Sequence, residues 1–242
     1  MAQIDPPTDL ASAVIVVAHP DDEVLWFSSI LERVGRALLC FEECDDYPHL
    51  GPGRRAVLSA YPLPHVTSLR LPEPCSVHLV DWSRPELDPA GLRLNARVVS
   101  AERVTRYQEM FHTLRTALAA QLRGASAVFT HNPWGEYGHP DHVQVARVIE
   151  SLKNELGFRV FCSGYIAHRT MPLAGAVLAQ LGNWFELPTQ PTLMESLQAL
   201  YREHGCWTWP TDHERFERET FLEVGGGLAA PGSGFRLNCV TP

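Results

Sequence analysis

Two short stretches of this chain mix imidazoles with carboxylates: Ala18-His19-Pro20-Asp21-Asp22-Glu23 near the N-terminus and Tyr137-Gly138-His139-Pro140-Asp141-His142 much further on. Histidine nitrogens and carboxylate oxygens are what a catalytic zinc ion takes, three from the protein with a fourth position kept for water. His19, Asp22 and His142 can supply that set, and two near ligands with one distant one would clip the fold together. Asp21 is then left beside the ion, free to take a proton from the bound water. His139 lies about one helical turn from His142 on the same face. Bound Zn²⁺ lowers the pKa of its water to roughly 7, so hydroxide is available near neutrality. Attack on an amide carbonyl builds an oxyanion, to which Tyr137 or protonated His139 can donate a hydrogen bond. The departing amine needs an acid, and either Asp21, once protonated, or His139 can serve. Glu23 reads as a hydrogen-bond partner near the site. Asp141 reads as a charge suited to a helix dipole or to orienting a histidine.

These residues need elements to hold them together. Apolar runs at 13–18, 37–42, 66–69, 127–130 and 159–162 predict strands buried on both faces, as in a parallel sheet. They alternate with helical patterns, which gives an α/β fold with its chemistry at the strand ends. Tyr107, Phe111, Leu114, Leu118 and Leu122 recur at steps of three or four and predict a helix over 101–122 with that stripe in the core. Pro140 suits a first helical position, so the second cluster sits at a helix N-terminus, followed by Val145, Ile149, Leu152 and Leu156 along one side. The proline-rich stretch 71–92 is expected to be an irregular excursion over the surface. A further helix is expected over 193–201, and the glycine-rich 225–234 is expected to be mobile.

The chain has 242 residues, 45% of them apolar, enough for one domain over 1–242. A net charge of −8 with scattered lysines and arginines leaves no basic stripe, which argues against nucleic acid. The six cysteines show neither zinc-ribbon spacing nor the density of a secreted scaffold, so they read as mostly reduced. The spacing Cys40-x-x-x-Cys44 lacks a second pair. The polar N-terminus and the short first apolar run predict no signal peptide and no membrane span, hence a cytoplasmic location. Trp134 and Trp209 are either sugar-stacking platforms or core.

The pair AHPDDE and YGHPDH resembles the LmbE-like (PIG-L) family of zinc-dependent N-deacetylases. The resemblance implies a Rossmann-like α/β fold, with a mostly parallel sheet flanked by helices, and removal of acetyl groups from N-acetylated amino sugars or their glycoconjugates. It implies that His19, Asp22 and His142 hold Zn²⁺, or another divalent ion such as Fe²⁺, and that Asp21 is the base. It further implies that His139 assists the transition state and that Tyr137 moves over the substrate carbonyl. Arg54-Arg55 looks like the family's arginine-bearing helix, which would bring Arg55 to the sugar hydroxyls, although Val57 stands where the family has a glutamate. The segment 200–209 resembles the family's late helix and aromatic segment. The partner is a small acetylated amino sugar or glycoconjugate, with self-association left open. Two other readings compete. His19-Pro20-Asp21 with His142 also spells the two-histidine, one-carboxylate triad of Fe(II) oxygenases, which usually sits on all-β barrels. A non-catalytic sugar-binding relative would have no need of Asp21.

Overall fold

Val14–Val17 forms the first strand because four consecutive apolar residues can all be buried only between two layers. Val14 and Val16 pack on one face with Leu114, Leu118, Val145 and Ile149, while Ile15 and Val17 pack on the other with Phe129, Phe161, Leu197 and Tyr201. Fully burying one such side chain is worth about 1.5–3 kcal/mol. The computed structural model describes residues 2–74, 76–95, 97–210, 213, 215–225 and 235–241. In chain order its elements are β1 (Val14–Val17), α1 (Asp22–Trp26), α2 (Ser28–Leu31), β2 (Arg36–Glu43), α3 (Leu50–Ala60), β3 (Val66–Pro72), β4 (Leu87–Asp88) and β5 (Gly91–Leu92). There follow α4 (Ala101–Gln121), β6 (Ala127–Thr130), α5 (Pro140–Leu156), β7 (Arg159–Ser163), β8 (Tyr165–Ile166), α6 (Met171–Val177), β9 (Leu181–Pro188), α7 (Pro191–Glu203), β10 (Arg218–Val224) and β11 (Asn238–Cys239).

The central sheet runs β3-β2-β1-β6-β7-β10-β9. Its first five strands are parallel, with Val14 opposite Arg36 on one side and Val128 on the other. The chain winds outward from β1 to β3, then returns to β6 on the other side of β1. The crevice of such a sheet opens at that reversal, outside the carboxyl ends of β1 and β6. β10 and β9 add an antiparallel edge that the sequence patterning did not predict. This is the expected α/β class, and it is not the all-β scaffold of the oxygenase alternative.

The helices at 101–122 and from Pro140 are where expected. Ser100 caps α4 by accepting from the Arg103 amide, and Gly157 (φ 78°) ends α5. The stretch 71–92 departs from expectation. Its start completes β3, its end forms the small β4–β5 ladder, and Glu73, Ser76 and Leu79 are buried rather than laid over the surface. The mobility expected of 225–234 falls on 226–234, outside the described residues. Among the described residues no helix is long and apolar enough to cross a membrane.

Candidate metal centre

A histidine follows each of β1 and β6, His19 two residues past the first and His131 directly after the second. His19 follows β1, and the chain turns sharply into α1 through Asp21, whose φ of 107° lies in the left-handed region that a non-glycine residue rarely holds. Two contacts hold it there. The Asp21 amide donates to Glu23 Oε2 at 3.0 Å, and Glu23 Oε1 accepts the hydroxyls of Tyr61 and Tyr201, each at 2.7 Å. Glu23 is thus the hydrogen-bond partner expected near the site.

Asp22 lies at the centre. Its Oδ2 accepts from the His19 amide at 2.7 Å and lies 3.3 Å from His19 Nδ1, while its Oδ1 lies 3.3 Å from His142 Nε2 and accepts from Trp26 Nε1. Burial opposes its charge, but His142 and His131 outweigh burial and hold the carboxyl well below its usual range. Burial likewise disfavours a charged His19. Glu73, Asp141 and Asp22 prevail and push it up to about 10, and Asp22 and Glu136 push His142 to about 9. His19 Nε2, His142 Nε2 and Asp141 Oδ2 are buried with no hydrogen-bond partner. Asp141 lies in the first turn of α5, where its charge suits the helix dipole; its Oδ1 accepts from Ser76 and its Oδ2 lies 3.5 Å from His19 Nε2.

Among the described residues three sets of possible ligand atoms each lie within 4.8 Å of one another: His19, His139 and His142; His19, Glu73, His139 and Asp141; and Asp22, His131 and His142. The expected trio of His19, Asp22 and His142 draws on two of these sets. His131 is spoken for, because its Nε2 accepts from the Ala18 amide at 2.8 Å and its Nδ1 faces Glu136 Oε2 at 3.2 Å. His139 caps α5, its Nδ1 accepting from the Asp141 amide at 3.2 Å. Burial, reinforced by His19 and His142, holds His139 well below its usual pKa, so the ring is neutral with its proton on Nε2.

These groups open onto a cavity of about 290 Å³ lined by His19, Asp21, Asp22, Tyr137 and His139 together with Tyr47, Arg54, Glu73, His78, Thr208 and Trp209. Thr208 donates its hydroxyl to Asp21 Oδ2 at 2.6 Å. Burial and then the Asp22 carboxylate raise Asp21 to about 7, against the pull of Thr208 and Arg54. Trp209 stands edge-on to Tyr137, ring centres 5.0 Å apart, and so belongs to the wall. Trp134 is core, fully buried with its Nε1 donating to Tyr165 O.

Arg55 is the site residue that the structure places elsewhere. It is half exposed, pairs with Glu43 and Glu42, and lines a separate cavity with Leu58 and Thr67. Adjacent residues on a helix cannot share a face, and it is Arg54 that turns inward to Glu73 Oε2 at 3.2 Å. His131, Glu136, Glu73, Arg54 and Thr208 were not singled out from sequence. His131 carried a readable signal, a histidine directly after an apolar run, the same arrangement that marks His19.

No family model and no curated protein sequence matches the chain. Solved structures do. A deacetylase of teicoplanin biosynthesis, solved in complex with teicoplanin, shares 15% identity at a TM-score of 0.52, over 88% of this chain and 98% of its own. A deacetylase of the A40926 pseudoaglycone shares 14% identity at a TM-score of 0.51, over 92% of this chain and 100% of its own. At such identity what is shared is the fold, an α/β sheet of the same plan.

Proposed function

We propose that this chain is a zinc-dependent hydrolase that removes the acetyl group from an N-acetylated amino sugar or glycoside. The observation that carries the reading is the meeting of buried His19 and His142, each with a partnerless Nε2, at the ionised Asp22, whose Oδ2 lies 3.3 Å from His19 Nδ1 and whose Oδ1 lies 3.3 Å from His142 Nε2, beside a cavity that His19, Asp21 and Asp22 line. A charged carboxylate among buried imidazoles fits a divalent cation, with His19, Asp22 and His142 as the holders. When bound, such an ion supplies Lewis acidity to an amide carbonyl and acidity to a water.

The rest is done by the chain. Asp21, with Oδ2 held by Thr208, takes a proton from the attacking water through Oδ1 and delivers it to the departing amine. Its value of about 7 suits both directions of transfer. Neutral His139 presents Nε2–H to the oxygen on which charge develops, a role that needs a donor and no net charge. Tyr137, pushed well above its usual pKa by burial and then by Asp22 and Asp21, stays protonated and is a second donor at the cavity wall. Arg54 and Glu73, buried together at the cavity, are the polar pair that meets the sugar ring. That the fold neighbours are deacetylases supports amide hydrolysis over the two competing readings.

The test is acetate release from a panel of N-acetylglucosamine conjugates and N-acetylated glycopeptides by zinc-loaded protein. Release from at least one member is expected. Silence across the panel with the ion demonstrably bound sinks the reading.

A further inference from the structure

Glu136 is a lone acid in the loop between β6 and α5, with no local motif to mark it. The structure buries it completely and aims four donors at its carboxylate. Oε1 accepts from the Asn132 amide at 3.0 Å and from the Ser163 hydroxyl, while Oε2 faces His131 Nδ1 at 3.2 Å and His142 Nδ1 at 2.8 Å. The loop is shaped to put it there. Asn132 Oδ1 accepts from the amides of Trp134 and Glu136, its Nδ2 ties the turn to Ser163 O and Tyr165 O, and Glu136 takes a left-handed φ of 51°.

The donors leave little freedom in how the imidazoles are protonated. His131 Nε2 accepts from the Ala18 amide, so the His131 proton is on Nδ1. His142 stacks on His131 with ring centres 3.8 Å apart and planes 19° apart, and points its own Nδ1 at the same oxygen. An ionised carboxylate oxygen only accepts, so His142 must also carry its proton on Nδ1. When His142 sheds its second proton to take an ion, the lone pair it frees is therefore on Nε2, 3.3 Å from Asp22 Oδ1.

Resting on the proposed metal site, we infer that Glu136 is its positioning residue. One oxygen shared between His131 and His142 fixes both rings as Nδ1–H tautomers, so that His142 offers Nε2 to the ion and His131 is a strut rather than a ligand. The carboxylate is required and an amide does not replace it. Glutamine with its NH₂ toward the imidazoles meets two N–H donors, and turned the other way its NH₂ meets the Asn132 amide and costs Ser163 its acceptor. Carboxylates behind metal-bound histidines typically govern 10- to 100-fold in affinity.

Two measurements test this. The first is a chelator-competition titration with Zn²⁺ on wild type and Glu136→Gln, expected to show affinity falling about 10- to 100-fold with a near-isosteric side chain. The second uses ring-nitrogen NMR on the zinc-loaded wild type and needs no variant to fold. Both His131 and His142 are expected to bear the proton on Nδ1, with only His142 showing a metal-shifted Nε2. Unchanged affinity in Glu136→Gln overturns the proposal, as does an Nε2–H tautomer at either ring or a metal-shifted nitrogen on His131. Failure of the underlying reading looks different: wild type then takes up no divalent ion, and the His131 tautomer in the ion-free protein decides whether Glu136 sets it.

Discussion

In the proposed mechanism Asp21 accepts one proton and releases it again, and its surroundings suit that task. Burial and Asp22 lift it to about 7, while Thr208 and Arg54 pull the other way. The ionised form would be the base, so on the proposed mechanism kcat/KM should rise with pH on an acid limb whose midpoint lies at or below about 7, a bound ion's charge drawing it downward. Asp21→Asn keeps the ion and loses on the order of 10²- to 10⁴-fold in kcat, whereas His142→Ala loses ion affinity; release of zinc by Asp21→Asn would contradict these roles. Thr208→Val removes a hydrogen bond to the charged form, so the acid limb moves to higher pH and kcat falls about 3- to 10-fold. A pH–rate profile with an unmoved limb counts against the contact. Ion uptake has its own pH dependence. His19 and His142 are both charged near neutrality in the ion-free state and must shed protons to bind. Affinity therefore climbs with pH toward about 9 and about 10, and calorimetry in buffers of different ionisation enthalpy should register proton release. At this scale the sequence was most readable where chemistry clusters. His19, Asp21, Asp22 and His142 stood out by their company. Glu136 and Glu73 are single letters whose partners are assembled only by folding, and Arg54 differed from Arg55 only by the rotation of a helix.

Among the elements, the parallel strands announced themselves because burial on both faces leaves an unbroken apolar run, as in Val14–Val17 and Ala127–Thr130. β9 and β10 did not. Asn183, Glu186 and Glu223 interrupt any alternation, and their reasons are tertiary: Asn183 donates to Glu223, and Glu223 pairs with Arg159 on β7. The least expected contact is also here. Glu219 of β10 is fully buried and accepts from the amides and hydroxyls of Ser28 and Ser29, the first two residues of α2, which lies directly behind the α1 turn. A carboxylate from the far end of the chain thus satisfies helix-start amides that the local sequence leaves without a cap. Glu219→Ala strands four buried donors. It should lower stability by about 2–4 kcal/mol in urea denaturation, far more than an exposed Glu→Ala change such as at Glu102; a loss under about 1 kcal/mol would show that water replaces the contact.

For the whole molecule, the proposed ion joins a loop after β1 to the start of α5 across the reversal of strand order. A ligand that binds only the folded state stabilises it, so zinc at about 100 times its Kd should add about 2.7 kcal/mol to unfolding, and a chelator should remove that increment. Denaturation curves that superimpose with and without zinc would contradict the site. Several groups that finish the cavity come late in the sequence, after all three proposed ligands. Thr208 and Trp209 line it, Tyr201 reaches Glu23, and Phe221 of β10 sits in the central core. Protein synthesis adds residues in that same order. A nascent chain therefore holds all three proposed ion ligands well before it holds Thr208, which clamps the proposed base, or β10, which lies between β7 and β9 in the sheet.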